Sequence, residues 1–105
     1  MAEAQIAVRD NPDESRFEID LGDERAVAQY TLKDGTIAFT HTKVPPSHEG
    51  QGLGTRLIEA ALAAARKRQL KVIPSCPFFA AYMKKHSETH DLLADGWRAK
   101  LSLDD

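Results

Sequence analysis

Val44-Pro45-Pro46-Ser47-His48-Glu49-Gly50-Gln51-Gly52-Leu53-Gly54-Thr55-Arg56-Leu57-Ile58 changes character along its length. Two prolines end the segment before them, three glycines follow at alternate positions, and a helical period then begins. Leu53, Leu57, Ile58, Ala61, Leu62 and Ala65 share one face of that period, while Arg56, Glu59, Arg66 and Lys67 point away. The stretch therefore predicts a strand, a glycine loop and one long amphipathic helix. Arg66, Lys67 and Arg68 fall in the helix's last turn, where cations complement the dipole, and are read as a solvated end.

Upstream, the period is two. Phe17, Ile19 and Leu21 alternate with polar neighbours, as do Ala26, Ala28, Tyr30 and Leu32. Asp34-Gly35 between the second run and Thr36–Val44 supplies the positive-φ pair of a tight hairpin. Three antiparallel strands are expected, starting near Arg16, with residues 1–15 frayed because they are polar and rich in turn formers. Downstream, Leu70-Lys71-Val72-Ile73 reads as a buried strand completing a strand–helix–strand crossover, and Pro77 opens a second, shorter helix to about His86 with Cys76 at its cap. Asp91–Asp105 is expected to form a short helix or tail that packs Trp97 down. The whole is read as one α+β domain, residues 1–105.

Composition narrows the function classes. With 42% hydrophobic and 29% charged residues and no long apolar run, a membrane span is not expected. The start lacks a signal-like pattern, and a single cysteine, Cys76, fits a reducing compartment, so cytoplasmic placement is the expectation. A net charge of −2 with dispersed Lys and Arg argues against nucleic acid as the main partner. His86 and His90 are spaced i, i+4, but Ser87–Thr89 break the helix between them, and no metal is expected.

Glycines before a helix let backbone N–H groups face an anion at the positive end of the dipole. A triphosphate-binding Walker loop needs a Lys after its last glycine, where this chain has Thr55-Arg56. A dinucleotide fingerprint needs a different glycine spacing and an acidic residue near the end of the next strand, where Pro74-Ser75 stand.

The quoted stretch, with His41-Thr42-Lys43-Val44 before it and Ile73-Pro74-Ser75-Cys76-Pro77-Phe78 after it, resembles the acyl-CoA-binding motif of the GNAT superfamily of N-acetyltransferases, in its small branch of roughly hundred-residue proteins. The resemblance covers about residues 16 to 93. It implies a minimal GNAT-like fold, with a mostly antiparallel twisted sheet splayed between the strand ending at Val44 and the strand Leu70–Ile73. It implies acetyl-CoA as cosubstrate and an amine as acceptor, whose identity the sequence leaves open. Pantetheine amides would pair with the backbone of Thr42, Lys43 and Val44, and N–H groups from Gln51, Gly52, Leu53, Gly54 and Thr55 would hold the pyrophosphate. Glu49 departs from the Arg or Gln usual at that place and is expected to point to solvent, since a carboxylate opposes a diphosphate.

Three residues are candidates for chemistry. Cys76, at a helix N-terminus, is placed to accept an acyl group or to sit beside the thioester, though a lone cysteine is also a common small core filler. Tyr82 is a candidate to protonate the departing CoA thiolate, as tyrosines on the corresponding helix of the superfamily do. His41 alternates with its strand neighbours and is a candidate base on the ligand side of the sheet. The competing class is a noncatalytic CoA-binding or interaction module, suggested by the short chain, Glu49 and the lack of an obvious base.

Overall fold

In the computed structural model, which describes residues 7–103, five strands form one sheet in the order β1-β2-β3-β4-β5. They are β1 (Val8–Asn11), β2 (Arg16–Asp20), β3 (Arg25–Lys33), β4 (Thr36–Lys43) and β5 (Lys71–Ile73). The first four pair antiparallel, and β5 joins β4 in parallel after the long helix α1 (Leu53–Lys67). Two shorter helices follow, α2 (Pro77–Lys85) and α3 (Trp97–Lys100), with a 3-10 turn at Ser87–Leu92 between them. The expected crossover, the hairpin at Asp34-Gly35 (φ 49° and 80°) and the end of the second helix near His86 are all present. Trp97 packs partly buried against the core.

The start of the chain differs from expectation. Val8–Asn11 is a strand, and the turn formers Pro12–Ser15 are its hairpin, closed by bonds from the Glu14 N–H to the Asn11 carbonyl and from the Ser15 N–H to the Pro12 carbonyl. The frayed reading is thus corrected for Val8–Ser15; for residues 1–6 it lies outside the described residues. The strand is held by polar side chains on both faces rather than by an apolar stripe. Asp10 accepts a 2.6 Å bond from the Tyr30 hydroxyl on the core side, and Arg9 and Asn11 donate to Glu18 on the other side at 2.8 and 3.1 Å.

Phe17, Ile19, Ala26, Ala28, Tyr30, Ile37 and Phe39 face α1, which buries Leu53, Leu57, Ile58, Ala61, Leu62 and Ala65. Phe39 lies flat on Phe79 of α2, with ring centroids 4.2 Å apart and planes 6° from parallel. Glu18, between Phe17 and Ile19, belongs to the opposite face yet is only 2% exposed. Hydrogen bonding from Arg16 above all, aided by Arg9 and Asn11 and opposed by burial, lowers its carboxyl to about 2. Because the folded value lies below the unfolded one, this contribution is complete above about pH 4.5 and fades as pH falls toward 2. Glu18→Gln is accordingly expected to destabilise by about 1–2 kcal/mol at pH 7 and to match the parent near pH 2. Paired thermal melts across that range check it, and a constant difference would show that charge plays no part.

Candidate active site

A register shift in the β3–β4 pairing shapes the site. Tyr30 pairs with Phe39 and Gln29 with His41, so Thr40 is an extra, unpaired residue. Strict alternation would put His41 on the core side with Ile37 and Phe39. The bulge reverses this: Thr42 stands opposite the fully buried Ala28, and His41 stands opposite exposed Gln29 on the other face. Lys43 shares that other face, paired with Val27.

The splay follows from unequal strand lengths. β5 pairs with β4 only from Thr36–Ala38 to Lys71–Ile73, and Pro74, lacking an N–H, ends the ladder. A bond from the Ser75 N–H to the Ile73 carbonyl turns the chain, and the Cys76 N–H donates to the Phe39 carbonyl at 2.8 Å. Beyond that bond, β4 runs on to Lys43 with no backbone partner on its β5 side among the described residues. An extended chain carrying amides can pair with such an edge.

Cys76 sits at the root of the opening. It caps α2 without a side-chain capping bond, Pro77 follows at the first helical position, and its residue is 5% exposed. Its Sγ lies 3.4 Å from the Thr42 hydroxyl, and either atom is able to donate. The structure therefore brings Thr42 and Cys76 together and leaves His41 on the far face.

Past the end of β4, Val44 and the loop wall a cleft of about 290 Å³ that reaches Thr55 and Phe78. Gly52 caps α1 in the left-handed conformation (φ 75°), with no side-chain cap and no acid in the first turn. The first bond of that turn is from the Arg56 N–H to the Gly52 carbonyl, so the N–H groups of Gln51 to Thr55 have no acceptor among the described residues. Such a cluster of donors fits a diphosphate. The glycines serve different ends. Gly50 and Gly52 adopt positive φ in open space, whereas Gly54 is helical and leaves room for Phe78, whose ring carbon would stand 2.4 Å from an added Cβ. Glu49 is exposed, at the rim of the cleft.

Tyr82 lies elsewhere, in a groove between α1 and α2 where its ring stacks on His86 with centroids 3.9 Å apart. Burial first, then the negative charges of Glu59 and Glu88, raise its phenol above the usual value. Phe78, Glu59 and Lys85, which line that groove, were not singled out by the sequence; the only signal was an aromatic residue two positions after Cys76. Among the described residues no three His, Cys, Asp or Glu side chains gather as a metal site, and no helix is long and apolar enough to cross a membrane.

Comparisons with known proteins bear on the family and the fold. No curated protein sequence matches the chain. A solution structure of a GCN5-like protein from Staphylococcus aureus is similar, with a TM-score of 0.68 and 29% identity over 88% of this chain and 91% of that one. The family model described as GCN5-related N-acetyl-transferase matches residues 16–92. The matched span runs from the first residue of β2 to the last of the 3-10 turn after α2, and the chain belongs to the GCN5-related N-acetyltransferase family.

Proposed function

We propose that the protein takes the acetyl group of acetyl-CoA and transfers it to an amine, with Cys76 as the residue that meets the thioester. The observation that carries the reading is the continuity of three features: the unpaired edge of β4, the Thr42–Cys76 contact at its root, and the uncapped N-terminus of α1 beyond Val44. The backbone of Thr42, Lys43 and Val44 is offered to pantetheine amides, and the N–H groups of Gln51, Gly52, Leu53, Gly54 and Thr55 to the pyrophosphate. Several charge-assisted bonds of about 1.5–3 kcal/mol each offset the absence of a basic patch.

Chemically, the Cys76 sulfur forms a bond to the acetyl carbonyl carbon as the carbon–sulfur bond to CoA breaks. The thiol proton leaves with the CoA sulfur. An amine in its neutral form then attacks the acetyl-cysteine, and its surplus proton restores the Cys76 thiol. The water-poor position of Cys76 limits hydrolysis of that intermediate. Thr42, in contact with the sulfur, orients it.

Titration calorimetry with CoA and acetyl-CoA, followed by a free-thiol assay over a panel of amines, peptides and proteins, tests the reading. Binding of both ligands and amine-dependent release of CoA are expected. Binding without release from any acceptor would instead establish a CoA-binding module, and failure of both ligands to bind at millimolar concentration would end the acyl-CoA reading altogether.

A further inference from the structure

An amine attacks a thioester only through a free lone pair, so an ammonium must first lose a proton to something. The Cys76 sulfur has the Thr42 hydroxyl as its hydrogen-bond partner, and a neutral hydroxyl does not take a proton from an ammonium. Each of the four histidines is engaged or placed elsewhere. His41 stands on the opposite face of β4, across from Gln29. His48 lines the cleft at the glycine loop, on the side offered to the diphosphate. His86 stacks on Tyr82 and pairs with Glu88, and His90 bonds the Met83 carbonyl through a ring nitrogen at 2.7 Å. The carboxylates are no better placed. Glu18 is held between Arg9 and Arg16 on the far face, and Glu24 accepts from the Ser47 hydroxyl in the β2–β3 turn. Glu49 lies at the rim of the cleft and Glu59 in the α1–α2 groove. Among the described residues, no histidine or carboxylate is bonded to Cys76 or Thr42. Cys76 is also buried, which leaves little water beside the sulfur to carry a proton away.

Resting on the acyl-transfer reading, we infer that the site acetylates amines that enter already neutral, and that its acceptor is the α-amino group of a peptide chain rather than the ε-amino group of lysine. An α-amino group with a pKa of about 7.8 is neutral in about one molecule in seven at pH 7, a lysine with a pKa of about 10.4 in about one in 2,500. The neutral lysine amine is the better nucleophile, which returns part of that difference but not all of it. In the step itself the amine nitrogen bonds to the acetyl carbonyl carbon and the carbon–sulfur bond to Cys76 breaks. The surplus nitrogen proton passes to the departing sulfur, so a base is needed only for the deprotonation that bulk water performs before the amine enters. Selection among amines thus follows from their own basicity, and a protein base that would bring lysine into range is not beside the sulfur.

Two matched peptides test this, one free of lysine with an open N-terminus, the other Nα-acetylated with a single lysine. With acetyl-CoA saturating and transfer in the absence of protein subtracted, kcat/KM for each peptide reports the meeting of the loaded protein with free acceptor. At pH 7 the open N-terminus is expected to be favoured by about tenfold or more. From pH 7 to 9.5 the lysine peptide's kcat/KM is expected to climb about tenfold per pH unit with its neutral fraction, while that of the open N-terminus levels off above about pH 8. Thermal melts at each pH verify that the protein stays folded. Equal or better use of lysine at pH 7, or a lysine profile that is flat above pH 7, reveals a base in the protein and overturns the inference; loss of that plateau in His41→Gln would name the base. Acetyl-Cys76, seen by intact mass, that neither peptide discharges overturns the acceptor class alone. Transfer to neither peptide with no acetyl group on Cys76 overturns the acyl-transfer reading itself.

Discussion

Phe79→Ala is expected to cost about 3–5 kcal/mol of stability and to lower the melting temperature by more than about 12 °C. The ring is fully buried, and its flat contact with Phe39 is where α2 meets the sheet. Removing it leaves a cavity that the surrounding side chains fill only in part, because the opposing Phe39 is fixed in β4 by its pairing with Tyr30. The same substitution reaches the site by a short path. The Phe39 carbonyl accepts the Cys76 N–H, so a loosened Phe39 also loosens the residue at the root of the splay. Phe79→Leu, which keeps most of the volume, is expected to lose less. Differential scanning calorimetry of both variants decides the matter; a shift below about 4 °C for the alanine variant would mean that the ring pair is not central to the core.

The second large effect concerns activity. Cys76→Ala is expected to reduce acyl transfer by roughly 10²-fold or more, because the chain has no other thiol to carry the proposed acetyl group. The structural part of the change is small: a side chain of modest size leaves a buried position, costing about 1 kcal/mol. Melting and CoA affinity therefore change little while turnover falls, and intact-mass analysis of the parent after acetyl-CoA should show one added acetyl group that Cys76→Ala lacks. Unchanged turnover in Cys76→Ala would remove the covalent step and leave direct attack of the amine on the thioester.

Much of the architecture was legible because local and tertiary preferences agree. Asp34-Gly35 had to turn, the stripe from Leu53 to Ala65 had to pack, and Pro74 had to end β5. β1 was not legible, since its one apolar residue, Val8, gives no periodic signal and its anchors are cross-strand polar bonds to Glu18 and Tyr30. The side of His41 was unreadable for a different reason. The pattern Ile37, Phe39, His41 is a regular alternation, and nothing in it announces that Thr40 is an extra residue. One bulge exchanges the roles of two neighbours and brings Thr42, not His41, to Cys76. The glycine loop was read from its spacing together with its place between a strand and a helix, but the reason for Gly54 lay in Phe78, twenty-four positions away in the sequence.

The three-rung pairing of β4 with β5 also governs when the site comes into being. The four antiparallel strands join neighbours through short connections and close at little entropic cost, whereas Thr36–Ala38 must wait for Lys71–Ile73 to return across the whole of α1. The opening that separates Thr42 from the end of β5 does not exist until that contact forms. During synthesis the hairpins and the glycine loop emerge first, and the Cys76 thiol joins Thr42 only after the later segment has left the ribosome and docked. Completion of the proposed site thus waits for the return of β5 across α1, and a chain that has not yet made that pairing holds the glycine loop without the Thr42–Cys76 contact.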